Sequence, residues 1–154
     1  CNNRSVILPS KWHGVAHAVA GTTGAILTAT PLFAYLYIEV PGWLVVPTFL
    51  GLWLLLEYAI YSRKESKGLL QSLLEGSWSP LPAILIASIL LTFSWEGLNS
   101  IMGSWRYQNL FWLEPRLLGT PPVAFFGYFC WCVLFLSLHR LAFGGMDSAR
   151  GSPS

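Results

Sequence analysis

Charge is scarce in this chain: only 10% of its 154 residues are Asp, Glu, Lys or Arg, against roughly a quarter in soluble domains. A net charge of +2 with no run of Lys and Arg among aromatics excludes an electrostatic nucleic-acid surface. Nucleophile elbow, P-loop, HExxH and CxxC cysteine pairs are all missing, which removes the common hydrolase, nucleotide and zinc signatures. Cys130 and Cys132 stand two apart, so on a helix they point to different faces and cannot share a metal. No metal site is expected.

What the chain has is hydrocarbon. With 54% hydrophobic and 15% aromatic residues, it reads as an all-α integral membrane protein. Four apolar stretches approach the length of about 20 residues that a spanning helix needs: His13 to Ile38, Trp43 to Tyr61, Pro80 to Met102 and Pro121 to Phe143. Together they predict one four-helix transmembrane domain over residues 1–143, followed by a flexible tail, "GGMDSARGSPS", over 144–154. "EVPG" at Glu39 to Gly42 predicts a tight turn between the first two spans. Ser79-Pro80 and Thr120-Pro121 each place a capping hydroxyl ahead of a proline suited to a first helical turn.

Basic residues set the expected threading. Four spans put Arg4, Lys11, Arg63, Lys64, Lys67, Arg140 and Arg150 on one side, and Arg106 and Arg116 on the other. Lys and Arg are retained inside during insertion, so both termini are expected on the cytoplasmic side of a bacterial membrane. Between spans two and three, Leu69, Leu70, Leu73 and Leu74 follow Arg63, Lys64 and Lys67 and predict a short interfacial helix.

The first span carries small residues at four-residue spacing: Ala16, Ala20, Gly24 and Thr28, beside His17, Gly21 and Ala25. Small faces let membrane helices approach closely, so Gly21 and Gly24 are candidate partner or lipid contacts and the span is expected amid several neighbours. Pro31 removes one backbone hydrogen bond and predicts a kink.

Polar side chains at membrane depth are functional candidates because burying them is costly. His13 and His17, one turn apart, could ligate haem or a chlorophyll-type pigment through a neutral imidazole, or simply pair with a neighbouring helix. Glu57 lies near the inner interface, where it is expected to snorkel or to pair with Arg63 or Lys64. Glu96 and Asn99 share a helix face, with Trp105, Arg106 and Tyr107 just beyond the membrane end. A buried carboxylate there would either take up a proton or stay ionised against Arg106.

The stretch "WEGLN", followed by "SWRYQN" and "LLGTPPVAFFGY", resembles uncharacterised bacterial polytopic membrane proteins. It is more loosely similar to membrane-embedded carotenoid-biosynthesis proteins of the hydratase and lycopene-cyclase type. That second resemblance implies Glu96 as an acid/base, with Asn99, Trp105, Arg106 and Tyr107 near a lipid-like substrate. Two functions therefore compete. One is a non-catalytic subunit of a larger membrane complex, contacting haem, pigment, carotenoid or lipid. The other is an enzyme acting on an isoprenoid-like lipid through Glu96.

Overall fold

The computed structural model describes residues 8–37, 44–64, 66–103, 116–117 and 120–150, the side chains of residues 37, 45 and 145–150 excepted. Among the described residues a 3-10 turn, Ser10–Trp12, leads into five helices: α1 (His13–Tyr37), α2 (Val45–Arg63), α3 (Leu69–Leu74), α4 (Pro80–Met102) and α5 (Pro122–Arg150). Among the described residues, three helical stretches are long and apolar enough to cross a membrane: Ser10–Leu36, Pro80–Met102 and Pro122–Gly144. The remaining apolar stretch expected to span forms the 19-residue α2. The "EVPG" turn, and Trp105, Arg106 and Tyr107, lie outside the described residues.

Packing runs as a row, α1 on α2, α2 on α5 and α5 on α4. Among the described residues the small face of α1 meets α2, and α2 and α5 hold the middle of the row. The reason is the fit between α1 and α2. A Cβ at Gly24 would lie 2.8 Å from the Gly51 carbonyl oxygen and 3.0 Å from Leu54 Cβ, and one at Gly21 would lie 2.8 Å from Tyr58 Cγ. Only glycine lets the two backbones come so near. Gly21 and Gly24 are thus consumed within the chain, while Val15, Val19, Ile26 and Phe33 face outward.

α4 buries a stripe at strict four-residue spacing: Ile84, Ser88, Thr92 and Glu96. The Ser88 and Thr92 hydroxyls donate to the carbonyls of Leu85 and Ser88, at 2.8 and 2.6 Å, so these polar groups are satisfied within their own helix. Pro80 occupies the first turn as expected. The Ser79 hydroxyl does not cap it, because Ser79 already has helical backbone angles, φ −55° and ψ −29°, which turn its side chain away from the orphan amides. Thr120 pairs with Leu117 through two backbone hydrogen bonds, and α5 starts at the second proline, Pro122.

Three further stretches carry expectations. α5 continues through Gly144 to Arg150, so helix takes in most of the stretch expected to be tail. No proline interrupts the helix there, the next being Pro153. α1 runs from His13 to Tyr37 with Pro31 inside it. α3 does not lie apart from the other helices: Leu69 is buried and forms a core with Ile84 and Val133, with Leu73 packed against it.

Candidate functional site: a buried carboxylate joint and an apolar groove

The first polar focus is Glu57. It sits on the face of α2 turned toward α5 and is completely buried. Ser137 of α5 donates its hydroxyl to Glu57 Oε1 at 2.6 Å, and the Leu70 backbone N–H donates to Oε2 at 2.8 Å. Leu70 belongs to the first turn of α3, whose N-cap, Gly68, has no side chain to cap with. A carboxylate from another helix takes that role, and its negative charge suits the positive end of the α3 dipole. Gly68 is what makes room, since a Cβ there would collide with Glu57 Oε2.

The expected Glu57 pairing with Arg63 or Lys64 is therefore not what the fold uses. The Arg63 guanidinium donates to the Leu141 carbonyl at 3.1 Å, and Lys64 terminates α2 in a left-handed conformation, φ 58°. Surrounding hydrogen bonds fasten the same corner. Ser66 donates to the Arg140 carbonyl at 3.3 Å, and Arg140 returns one to the Lys67 carbonyl at 3.2 Å.

Beside this joint lies His17, fully buried on α1, its ring stacked on Tyr61 at 4.0 Å between centroids and 8° between planes. Both ring nitrogens are buried, with no hydrogen-bond partner among the described residues. His13, one turn earlier, donates from Nε2 to the Leu8 carbonyl at 3.0 Å. The two histidines thus share a face, as the spacing predicts, but they are engaged differently. Tyr61 covers one face of the His17 ring, whereas a metal would approach a ring nitrogen in the plane of the imidazole.

The second focus is Glu96, buried on α4, where Tyr128 of α5 donates to its Oε1 at 3.1 Å. Asn99 accepts the Gly103 N–H at 2.7 Å through its backbone carbonyl, which ends α4 with Gly103 in the left-handed region at φ 61°. Tyr128 also lines an apolar groove of about 290 Å³ with Trp95, Phe126, Gly127 and Trp131. A second hollow of about 240 Å³, lined by Trp53, Leu69, Leu81, Phe129 and Val133, shares Phe49, Phe126 and Cys130 with the first.

Sequence reasoning found Glu57, His17 and Glu96 but missed their partners. Tyr61 stands four residues after Glu57 on the same helix, a spacing that could have flagged it. Ser137 and Tyr128 carry no local signal, because their roles arise from which helix packs on which.

No family model, curated protein or solved structure matches this chain.

Proposed function

We propose that this protein is a non-catalytic, membrane-embedded subunit that braces a larger assembly and contacts lipid or a lipid-like pigment. In this reading α2 is a fourth span, α3 rests at the inner interface, and both termini face the cytoplasm of a bacterial cell. The observation that carries it is the Glu57 joint. Both oxygens of Glu57, a fully buried acid, are engaged in holding α2, α3 and α5 together. A carboxylate fixed in this way organises helices, whereas an acid/base group needs an open approach to a reacting atom. The apolar outward faces of α1 and α4, including Val19, Phe33, Leu90 and Leu98, suit lipid or neighbouring spans.

Purification from membranes in mild detergent tests the proposal, reading co-purifying chains and the visible spectrum together. Stoichiometric membrane partners are the expected result. A monodisperse monomer retaining full cellular function would overturn the subunit reading. Threading is checked by cysteines at Lys64 and Gly103, which should react with an impermeant reagent from the inside and the outside respectively.

The alternative, an enzyme acting on an isoprenoid-like lipid, draws on one observation. Tyr128 both donates to Glu96 and lines the groove, so an acid lies one hydrogen bond from an apolar binding space. Glu96→Gln would then abolish product formation while the helices stay folded. Loss of a complex with no lost reaction would end that reading.

A further inference from the structure

Basic side chains gather at one corner of the bundle, where α2 ends and the linker to α3 crosses α5. Arg63 closes α2, Lys64 terminates it, Lys67 follows in the linker, and Arg140 approaches from α5. Arg63, Lys64 and Lys67 are exposed and Arg140 is half-buried. The two guanidiniums are tied across the corner. Arg63 donates one N–H to the Leu141 carbonyl at 3.1 Å, and Arg140 donates one to the Lys67 carbonyl at 3.2 Å. A guanidinium carries several N–H donors in a fixed plane. Each arginine is fixed by one of them and makes no other hydrogen bond among the described residues. Two long side chains are therefore already oriented, which lowers the ordering cost of holding a ligand.

The chain does not balance the charge at this corner. Glu57 is committed to Ser137 and Leu70, and Glu75 to Lys67 and Gln71. Among the described residues Arg63, Lys64 and Arg140 have no ion pair. Glu65 lies outside the described residues. Set with Glu75 against Arg63, Lys64, Lys67 and Arg140, it still leaves two positive charges.

Depth identifies the anion. Arg140 stands 18 residues after Pro122, and Arg63 stands 18 residues after Val45. At 1.5 Å per residue each lies about 27 Å along its helix, close to the roughly 30 Å of a hydrocarbon core. Two helices thus bring their arginines to the level of lipid phosphates. Trp12, before α1, and Trp78, before α4, are about half exposed. The Leu8 N–H to Leu74 carbonyl bond ties the segments that carry them to the same end of the bundle. Tryptophan favours that interface.

We infer that this corner binds the headgroup of a phospholipid with net negative charge, held by Arg63, Lys64 and Arg140. The inference deepens the reading of a lipid-contacting subunit and rests on it for the membrane placement of α2. Guanidinium donors match phosphate oxygens in pairs. A zwitterionic headgroup brings its own cation into the same positive field, so the site discriminates by headgroup charge.

The test titrates the full chain in mild detergent with dioleoylphosphatidylglycerol and, separately, dioleoylphosphatidylcholine, counting bound lipid by native mass spectrometry. Expected is one phosphatidylglycerol held about thirtyfold more tightly than phosphatidylcholine, the effect of two uncompensated basic charges near a headgroup. Lys64→Gln removes charge from a side chain with no hydrogen bond among the described residues and should cut the preference about fivefold. Arg63→Gln combined with Arg140→Gln should bring the two lipids to parity. Arg116→Gln, an equal loss of charge just before the other end of α5, should leave the preference intact. Helicity should match wild type in each. Millimolar glycerol 3-phosphate, which carries the phosphate without acyl chains, should not compete.

Equal retention of the two lipids, or an undiminished preference in Lys64→Gln, would overturn the inference. Displacement by glycerol 3-phosphate would overturn it by showing a site for soluble phosphate. Release of the protein from membranes by alkaline carbonate would sink the membrane reading and the site with it, whereas retention together with equal lipid binding removes the site alone.

Discussion

Glu57 and Ser137 stand 80 residues apart in sequence and meet at 2.6 Å. Both are completely buried. This contact joins the first helical hairpin to the last helix, so its removal reports on the whole arrangement. In Ser137→Ala, Glu57 Oε1 keeps its burial and loses its donor, a change that costs about 1–3 kcal/mol. Thermal unfolding in detergent should fall accordingly, and Ser137→Thr, which keeps a hydroxyl, should lose less. An unchanged melting temperature in Ser137→Ala would show that the joint contributes nothing.

Gly68 offers a sharper test of the same joint. Its backbone, at φ −71° and ψ 170°, is one that alanine adopts freely, so any loss in Gly68→Ala comes from the collision of its Cβ with Glu57. The substitution should therefore destabilise the wild type clearly and be nearly neutral in a Glu57→Ala background. Paired denaturation curves should give a coupling of about 0.5–3 kcal/mol, the range for residues in direct contact. Simple additivity would mean that the two residues do not meet in solution.

The α1–α2 seam predicts opposite outcomes for two glycines. Gly24→Ala drives a Cβ against Gly51 and Leu54 and should cost about 1–3 kcal/mol by overpacking. Gly97→Ala, with nothing near its new Cβ, should stabilise α4 by about 0.5–1 kcal/mol through lower unfolded-state entropy. Unfolding of the two variants under one detergent condition checks both signs.

These contrasts show what could be read without coordinates. Helix positions follow from apolar length and punctuation, and α4 matches its predicted bounds, Pro80 to Met102. Periodicity also found the small face of α1, because spacing alone places Gly21, Gly24 and Thr28 together. Spacing cannot say which helix fills that face, so the partner α2 was not legible. The same gap explains Glu57. Its charge and depth suggested nearby Arg63 or Lys64, but a carboxylate at the start of α3 satisfies backbone and hydroxyl donors that no linear pattern marks. For Glu96 the expected cation, Arg106, lies outside the described residues, and Tyr128, 32 residues away, supplies a hydrogen bond.

Outside the spanning helices, Lys67 and Glu75 bracket α3 with an ion pair at 2.7 Å, and Gln71 donates to the other Glu75 oxygen at 3.0 Å. The Lys67 hydrogen bond is the largest influence holding the Glu75 carboxyl below its ordinary value of 4.5. A carboxyl lowered in the folded state adds stability that is fully present above its unfolded value and is lost as pH falls through the lower folded value. The clamp around α3 should therefore hold at neutral pH and loosen only in acid below about 4.5. Lys67→Met should raise the Glu75 titration midpoint toward the ordinary value, read from its side-chain carboxyl carbon chemical shift. Because the Lys67 side chain is 66% exposed, added salt should shift the wild-type midpoint in the same direction by screening. A midpoint indifferent to both Lys67→Met and salt would show that the pair does not persist in solution.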